Sequence, residues 1–374
     1  MQKTPTTTLA TSPDALQTAP VSAPTALVQA LGGPSTSLQE LGGSLSFPLF
    51  STLSQELAAL TEGAGAFDLG YRAQIAVSSA DRLRWLNGML TNNIQGLAED
   101  TGNYSFVLNA QGRIQGDCEA FRLADRLLVV TDRSQLPALM AHFDHYIIMD
   151  DVALEDMSAA RTALGLAGPR APQLLAALGV TLPPAAPDAL WLLETRICGV
   201  PVQLTGGYPT TLPRFELWCA NENVRALWDV LLAAGATPCG LHAAEALRVL
   251  EGIPRYGVDI TSRDLPQETS QIRALHFSKG CYLGQEIVER IRSRGQVHRR
   301  LAQFTLSSEP SALPLELTAA GESAPAGRIT SAAQYQGTHY GLGIVRSEAV
   351  ERHRTLDYPG GVATLLIHPP LRRS

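Results

Sequence analysis

The chain reads as an α+β protein that ends in a small β-rich domain, and three observations lead there. Strand-like and helix-like stretches alternate from Leu53 to Ser293 without a strict βαβ rhythm. No Gly-x-Gly-x-x-Gly run follows a strand, which argues against a doubly wound dinucleotide-binding sheet. After Arg300 the sequence becomes β-rich and punctuated by Gly and Pro, with no convincing long helix.

Residues 1–47 are rich in Ala, Thr, Ser and Pro, with only Lys3, Asp14 and Glu40 charged. They read as a disordered leader without the basic start of a secretory signal or the arginines of a mitochondrial one. From there, residues 53–62 read as a short amphipathic helix and residues 74–77 as a strand. Ser79-Ala80-Asp81 can cap a helix that carries Leu83, Trp85, Leu86, Met89 and Leu90 on one face. A β-meander follows: residues 104–108, a turn at Asn109-Ala110-Gln111-Gly112, then residues 113–123 and 127–131. Alternation in its middle strand puts Gln115, Asp117 and Glu119 on one face and Ile114, Cys118 and Ala120 on the other. A face with two carboxylates either meets solvent or lines a polar cavity, and solvent is the simpler expectation.

Residues 136–143 read as helix, with strand at Ile147-Ile148 and at 152–154. Leu164 to Pro169 reads as a small-residue strand and turn before a helix over 171–178, and three prolines make residues 181–187 a loop. Strands around 196–204 and 215–219 and helices over 224–234 and 242–250 complete this region, which takes residues 48–300. Residues 301–374 form the C-terminal β domain.

The net charge is −6, so no overall basic footprint for nucleic acid exists. No apolar run reaches the ~18 residues of a membrane helix, and no membrane association is expected. The five cysteines (118, 198, 219, 239 and 281) include no Cys-x-x-Cys pair. This is the usage of a reduced, cytosolic protein, with the first four expected to be buried and inert.

The unusual chemistry lies between Arg248 and Arg300. Gly252-Ile253-Pro254-Arg255-Tyr256-Gly257-Val258-Asp259 breaks a helix and presents Arg255, Tyr256 and Asp259 from irregular backbone. Pro266-Gln267-Glu268 is expected to be an exposed polar corner. Lys279-Gly280-Cys281-Tyr282-Leu283-Gly284-Gln285-Glu286 sets a cysteine between two glycines, ahead of a helix expected over 284–293. A helix start and the nearby Lys279 both favour thiolate, so Cys281 suits a nucleophile, a redox sensor or a metal ligand. A small residue that merely fits between glycines is the equal alternative. Arg290, Arg292, Arg294, Arg299 and Arg300, with His298, suit capture of an anion such as a polyglutamate tail or phosphate. They equally suit a solvated helix face paired with Glu286 and Glu289. Aromatics are not interleaved with them, which disfavours base-stacking recognition of RNA.

The Lys279–Glu286 run, with the Gly252–Asp259 and Pro266–Glu268 segments, resembles the signature of the YgfZ family. These are folate-binding proteins related to the T-protein (aminomethyltransferase) of the glycine cleavage system. Leu90-Thr91-Asn92, the meander turn, Leu166-Ala167-Gly168-Pro169 and Gly327-Arg328-Ile329-Thr330-Ser331 extend the similarity over nearly all of residues 50–370. The resemblance implies a three-domain cloverleaf around a central folate channel, with a barrel-like C-terminal β domain. It implies tetrahydrofolate or a one-carbon derivative as cofactor and support of iron–sulfur cluster assembly or repair. Through that role it implies iron–sulfur enzymes, assembly proteins and tRNA modification as the setting. It assigns the reactive role to Cys281, with Lys279 as its neighbour.

Two departures from the T-protein weaken the alternative of glycine-cleavage aminomethyl transfer. Gly116-Asp117 stands where that protein has two aspartates. Arg248-Val249-Leu250-Glu251-Gly252 stands where it has Arg-x-Glu-Ala-Gly. Asp117 remains the candidate for any transfer chemistry. A pterin's amino-pyrimidine edge suits a carboxylate, for which Asp117, Glu251 and Glu268 are candidates, and a glutamate tail suits Arg255 or Arg290. Asn92, Tyr256, Tyr282, Gln285 and Glu286 complete the candidate folate contacts on the matching motifs.

Overall fold

The computed structural model describes residues 22–32, 37–184, 190–207, 211–295, 297–322 and 324–371. An eleven-stranded sheet carries most of the chain. One half runs in the order Thr237–Cys239, Gly65–Asp68, Arg161–Ala167, Arg214–Ala220, Val200–Gly206, Leu190–Ile197. The other continues as Thr101–Leu108, Ile114–Arg122, Leu127–Asp132, Arg72–Ser78, Ala153–Asp156. The seam between halves is short, pairing Leu190 with Gly102 and Trp191 with Thr101. Strand Gly65–Asp68 belongs to one half and Arg72–Ser78 to the other, so the chain crosses between the halves through Leu69-Gly70-Tyr71. Next to the seam, the Trp191 ring lies over Gly206 on the neighbouring strand, where a Cβ would sit 2.2 Å from it and glycine is required.

The expected helices form, at Leu53–Glu62, Arg82–Met89, Leu136–His145, Ala171–Ala177, Val224–Ala233, Leu241–Leu250 and Gln285–Arg294. A capping box at Thr52 and Gln55 starts the first of them. Asp81 precedes the second without a side-chain cap, because its carboxylate accepts instead from the Asp151 N–H at 2.9 Å. Helix Leu241–Leu250 is buried along its whole length, held between the sheet and the C-terminal domain. A helix buried all round must pair its polar side chains, and His242, Glu245 and Arg248 impose that demand here. The C-terminal domain is a closed six-stranded barrel: Arg299–Leu306, Thr338–Arg346, Pro325–Tyr335, Leu315–Thr318, Thr355–Tyr358, Gly361–Leu365. Phe304, Leu317, Ile329, Val345 and Leu356 fill its core.

Four expectations need correction. The disordered leader does not extend to residue 47. Residues 1–21 lie outside the described residues, but Ala26–Leu31 is a helix and Ser44–Ser46 pairs with both Ala23–Pro24 and Gln39–Leu41. Asp68 anchors this segment: one carboxylate oxygen accepts from the Thr25 and Ser46 hydroxyls, each at 2.5 Å, and the other from the Gly70 N–H. Composition hid the order because small polar side chains earn their place here through one buried acceptor far along the chain. Ile147-Ile148 is not a strand; Ile148 is 81% exposed, and the edge strand comes later, at Ala153–Asp156. Pro266–Thr269 is not an exposed corner but a 3-10 turn with Pro266 and Glu268 buried, since Glu268 is the ion-pair partner of Arg299. Cys198 is not buried: it occupies the tip of a hairpin at φ 47°, while Cys118, Cys219 and Cys239 are buried as expected.

Candidate functional site

A central cavity of ≈ 140 Å³ opens where the two half-sheets, the Gly252–Asp259 segment and helix Leu241–Leu250 meet. The meander's middle strand supplies its wall. Asp117 and Glu119, expected to face solvent, face this cavity instead. Alternation separates two faces of a strand, but only packing decides which one meets water.

Asp117 is held at both oxygens. The Tyr104 hydroxyl donates to Oδ2 at 2.7 Å and Gln135 Nε2 to Oδ1 at 2.8 Å, while Gln135 Oε1 accepts from the Asp117 N–H at 3.0 Å. Burial, reinforced by Asp132, pushes this carboxyl above its ordinary range; the two donated hydrogen bonds pull the other way and fit an ionised carboxylate. Beside it, Arg72 pairs with Glu119 at 2.8 Å, Asp132 at 3.1 Å and Glu216 at 3.5 Å. Burial pushes Glu119 up to about 7 in spite of Arg72, with Glu216 adding to the rise. Five carboxylates and five arginines line the cavity, and of these acids Asp117 alone makes no ion pair among the described residues, which suits a ligand edge that brings N–H donors to it.

Glu119 also makes stability depend on pH. Its folded value of about 7 lies above the ordinary 4.5, so between these values the folded chain holds more protons than the unfolded one. The contribution is full below 4.5 and is lost as pH rises through about 7. Glu119→Gln is expected to flatten this decline in urea unfolding across that window. Identical pH slopes in the variant and the parent would show that Glu119 does not carry it.

A second buried network starts at Glu245 and Arg248, which also line the cavity, and runs toward the barrel. Arg248 donates to Glu245 at 3.1 Å, to Asp259 at 2.6 Å and to the Ser331 hydroxyl at 2.9 Å. Asp259 Oδ1 accepts from the hydroxyls of Thr330 and Ser331 at 2.6 and 2.7 Å. Two stretches singled out in the sequence, Gly252–Asp259 and Gly327–Ser331, thus meet and tie the barrel to the cavity floor. Arg255, with Nη1 3.1 Å from Glu245 Oε2, and Tyr256 face the cavity.

Of the candidate residues, Asp117, Arg255 and Tyr256 line the cavity. Glu251 does not; its Oε1 accepts from the Leu212 N–H at 3.3 Å. Glu268 and Arg290 line a separate groove that shares no lining residue with the cavity. Asn92 acts from behind, donating to the carbonyls of Tyr104 at 2.9 Å and Arg273 at 2.8 Å, both residues of the cavity wall. Tyr282 is core, Gln285 Oε1 accepts from the Tyr282 N–H at 3.3 Å, and Glu286 is exposed.

Cys281 is exposed, on a loop outside the cavity lining. Helix Gln285–Arg294 begins only after Gly284, at φ 80°, so Cys281 does not sit in its first turn. Lys279 does not serve the thiol either. Its Nζ donates to the carbonyls of Asn87, Leu90 and Asn92 at 2.5, 2.6 and 2.7 Å, which staples the cysteine loop to the Leu90–Asn92 turn. Burial lowers this amine to about 7, yet three carbonyl acceptors call for all three ammonium hydrogens. Sequence reasoning missed Tyr71, Arg72, Asp132, Glu216 and Arg273, which line the cavity from four separate stretches. An arginine opening the apolar strand Arg72–Ser78 was the one available signal.

The architecture is that of a T-protein-like fold. It superimposes on the glycine cleavage system aminomethyltransferase T from Bartonella henselae with a TM-score of 0.78 at 20% identity, covering 93% of this chain and 96% of that one. The chain belongs to the family of the GCVT N-terminal domain, whose sequence profile matches residues 27–279. Similar relatives include the aminomethyltransferase of Exiguobacterium sibiricum, 27% identical over 248 residues, spanning 66% of this chain and 68% of that protein. The aminomethyltransferase of Rubrobacter xylanophilus is 29% identical over 258 residues, 69% of each chain. A putative chloroplastic transferase of Arabidopsis thaliana is 24% identical over 327 residues, 86% of this chain and 74% of its own. No helix among the described residues is long and apolar enough to cross a membrane.

Proposed function

We propose that the chain is a tetrahydrofolate-binding protein that supports iron–sulfur cluster assembly or repair, with Cys281 as its reactive group. The observation that carries the folate reading is the cavity wall at Asp117, where a half-buried carboxylate is fixed by Tyr104 and Gln135 beside the Arg72 cluster. Carboxylates of this wall suit the donor-rich edge of a pterin, and Arg255 suits the glutamate tail better than Arg290, which lines a different groove. When bound, tetrahydrofolate would supply ring nitrogens that carry one-carbon units. The residues around it bind, orient and exclude water.

The iron–sulfur part rests on the Lys279–Glu286 motif. An exposed thiol on a loop pinned by Lys279 suits contact with a partner protein or a transient cluster. Iron–sulfur enzymes or assembly factors are the proposed partners. Direct tRNA binding has less support, because Arg299 is paired with Glu268 and Asp264 and Arg292 lies over the Phe277 ring next to Glu289.

Calorimetric titration with tetrahydrofolate tests the first part, and saturable binding is expected. Cys281→Ser is expected to keep that affinity but fail to restore iron–sulfur enzyme activity in a deletion strain. Full restoration by the serine variant would remove the role given to the thiol. Aminomethyl transfer is the second reading, favoured by Asp117 in the cavity. It requires methylenetetrahydrofolate formation from an aminomethylated lipoyl carrier, and no product with active carrier would exclude it.

A further inference from the structure

We propose that the groove between the Asn109–Gly112 turn and helix Gln285–Arg294 is a docking site for an acidic peptide segment of a partner protein, one that also carries apolar side chains. This groove, of ≈ 950 Å³, is separate from the central cavity. Three of its features select the occupant.

The first is charge. Arg113, Arg290 and His298 line the groove, while its carboxylate, Glu268, is neutralised by Arg299 through two hydrogen bonds at 2.9 and 2.8 Å. Arg290 is exposed and makes no side-chain hydrogen bond or ion pair among the described residues. A cationic rim with no free acid attracts an anionic partner.

The second is the apolar wall. Ile287 and Ile291 stand one turn apart on the helix, with Arg290 between them, and Leu265, Ala110 and Val297 complete the surface. The acidic residues of this helix fall elsewhere: Glu289 pairs with Arg292 at 3.4 Å and Glu286 does not line the groove. Inorganic phosphate would leave this wall uncovered.

The third is an unused acceptor. Gln267 lines the groove, and its Nε2 donates to the Val288 carbonyl at 2.9 Å, but its Oε1 is buried with no hydrogen-bond partner. A buried acceptor of this kind calls for an N–H donor, which a peptide backbone carries at nearly every residue. Nucleic acid meets the charge but finds little here for its bases, since no Phe, Tyr or Trp lines the groove.

The test is fluorescence anisotropy on the full chain with a fluorescein-labelled peptide alternating Glu and Leu. A Lys–Leu peptide and an oligouridylate serve as comparison probes. The Glu–Leu peptide is expected to bind saturably and the others far more weakly. Arg290→Glu is expected to weaken it by about tenfold or more, and Arg290→Lys by only about twofold. Tetrahydrofolate titration and the unfolding midpoint should match the parent in both variants, which separates failure here from failure of the folate reading. Equal binding of the Lys–Leu peptide, no loss in Arg290→Glu, or preference for the oligouridylate would overturn the proposal.

Discussion

Arg248→Met is expected to lower the unfolding free energy by about 3–5 kcal/mol, the effect of removing one partner from a buried ion pair. The guanidinium is almost fully buried and serves Glu245 and Asp259 together, with the Ile253 carbonyl and the Ser331 hydroxyl. Methionine keeps much of the volume but leaves Asp259 without a cation and Glu245 with Arg255 alone. Both acids oppose burial through Arg248, which holds them below their ordinary range. Depressed folded values mean that their contribution is present above the unfolded values and lost as pH falls through the folded ones. The variant should therefore lose most near neutral pH and less in acid. Urea unfolding at both pH values measures this. A loss under about 1 kcal/mol at neutral pH would mean that the network is not what ties the barrel to the cavity floor.

Asp117→Asn is expected to weaken tetrahydrofolate binding by about ten- to hundredfold, the range of a lost hydrogen bond to a charged group. Both carboxylate oxygens accept hydrogen bonds, from Tyr104 and from Gln135. An asparagine offers one acceptor and must point its amide hydrogens at one of these donors. Gln135 cannot simply rotate, because its other end accepts from the Asp117 N–H. The local cost to stability is about 1–2 kcal/mol, small enough to leave the fold in place. Calorimetry and urea unfolding on the same preparation separate the two effects. Unchanged affinity in a folded variant would take Asp117 out of the binding site.

The elements were largely legible because their signals are local. Thr52 and Gln55 form a capping box within one turn, and the Asn109–Gly112 turn is followed at once by period-2 alternation. The N-terminal segment was not legible, because its order depends on Asp68, far along the chain. Nor was Lys279. Its spacing from Cys281 looks like thiol activation, but its ammonium is taken up by carbonyls from the Asn87–Asn92 stretch.

Sequence alone determined the α+β class, the C-terminal β domain and the motifs that mark the family. It also determined that Asp117 and Glu119 share a face, since alternation along a strand is a property of the backbone. Only the tertiary structure decided that this face lines a cavity, that Arg72 and Glu216 join it, and that Glu251, Glu268 and Arg290 do not. The reason is that burial and charge pairing depend on which surfaces meet, and strands far apart in sequence supply the partners.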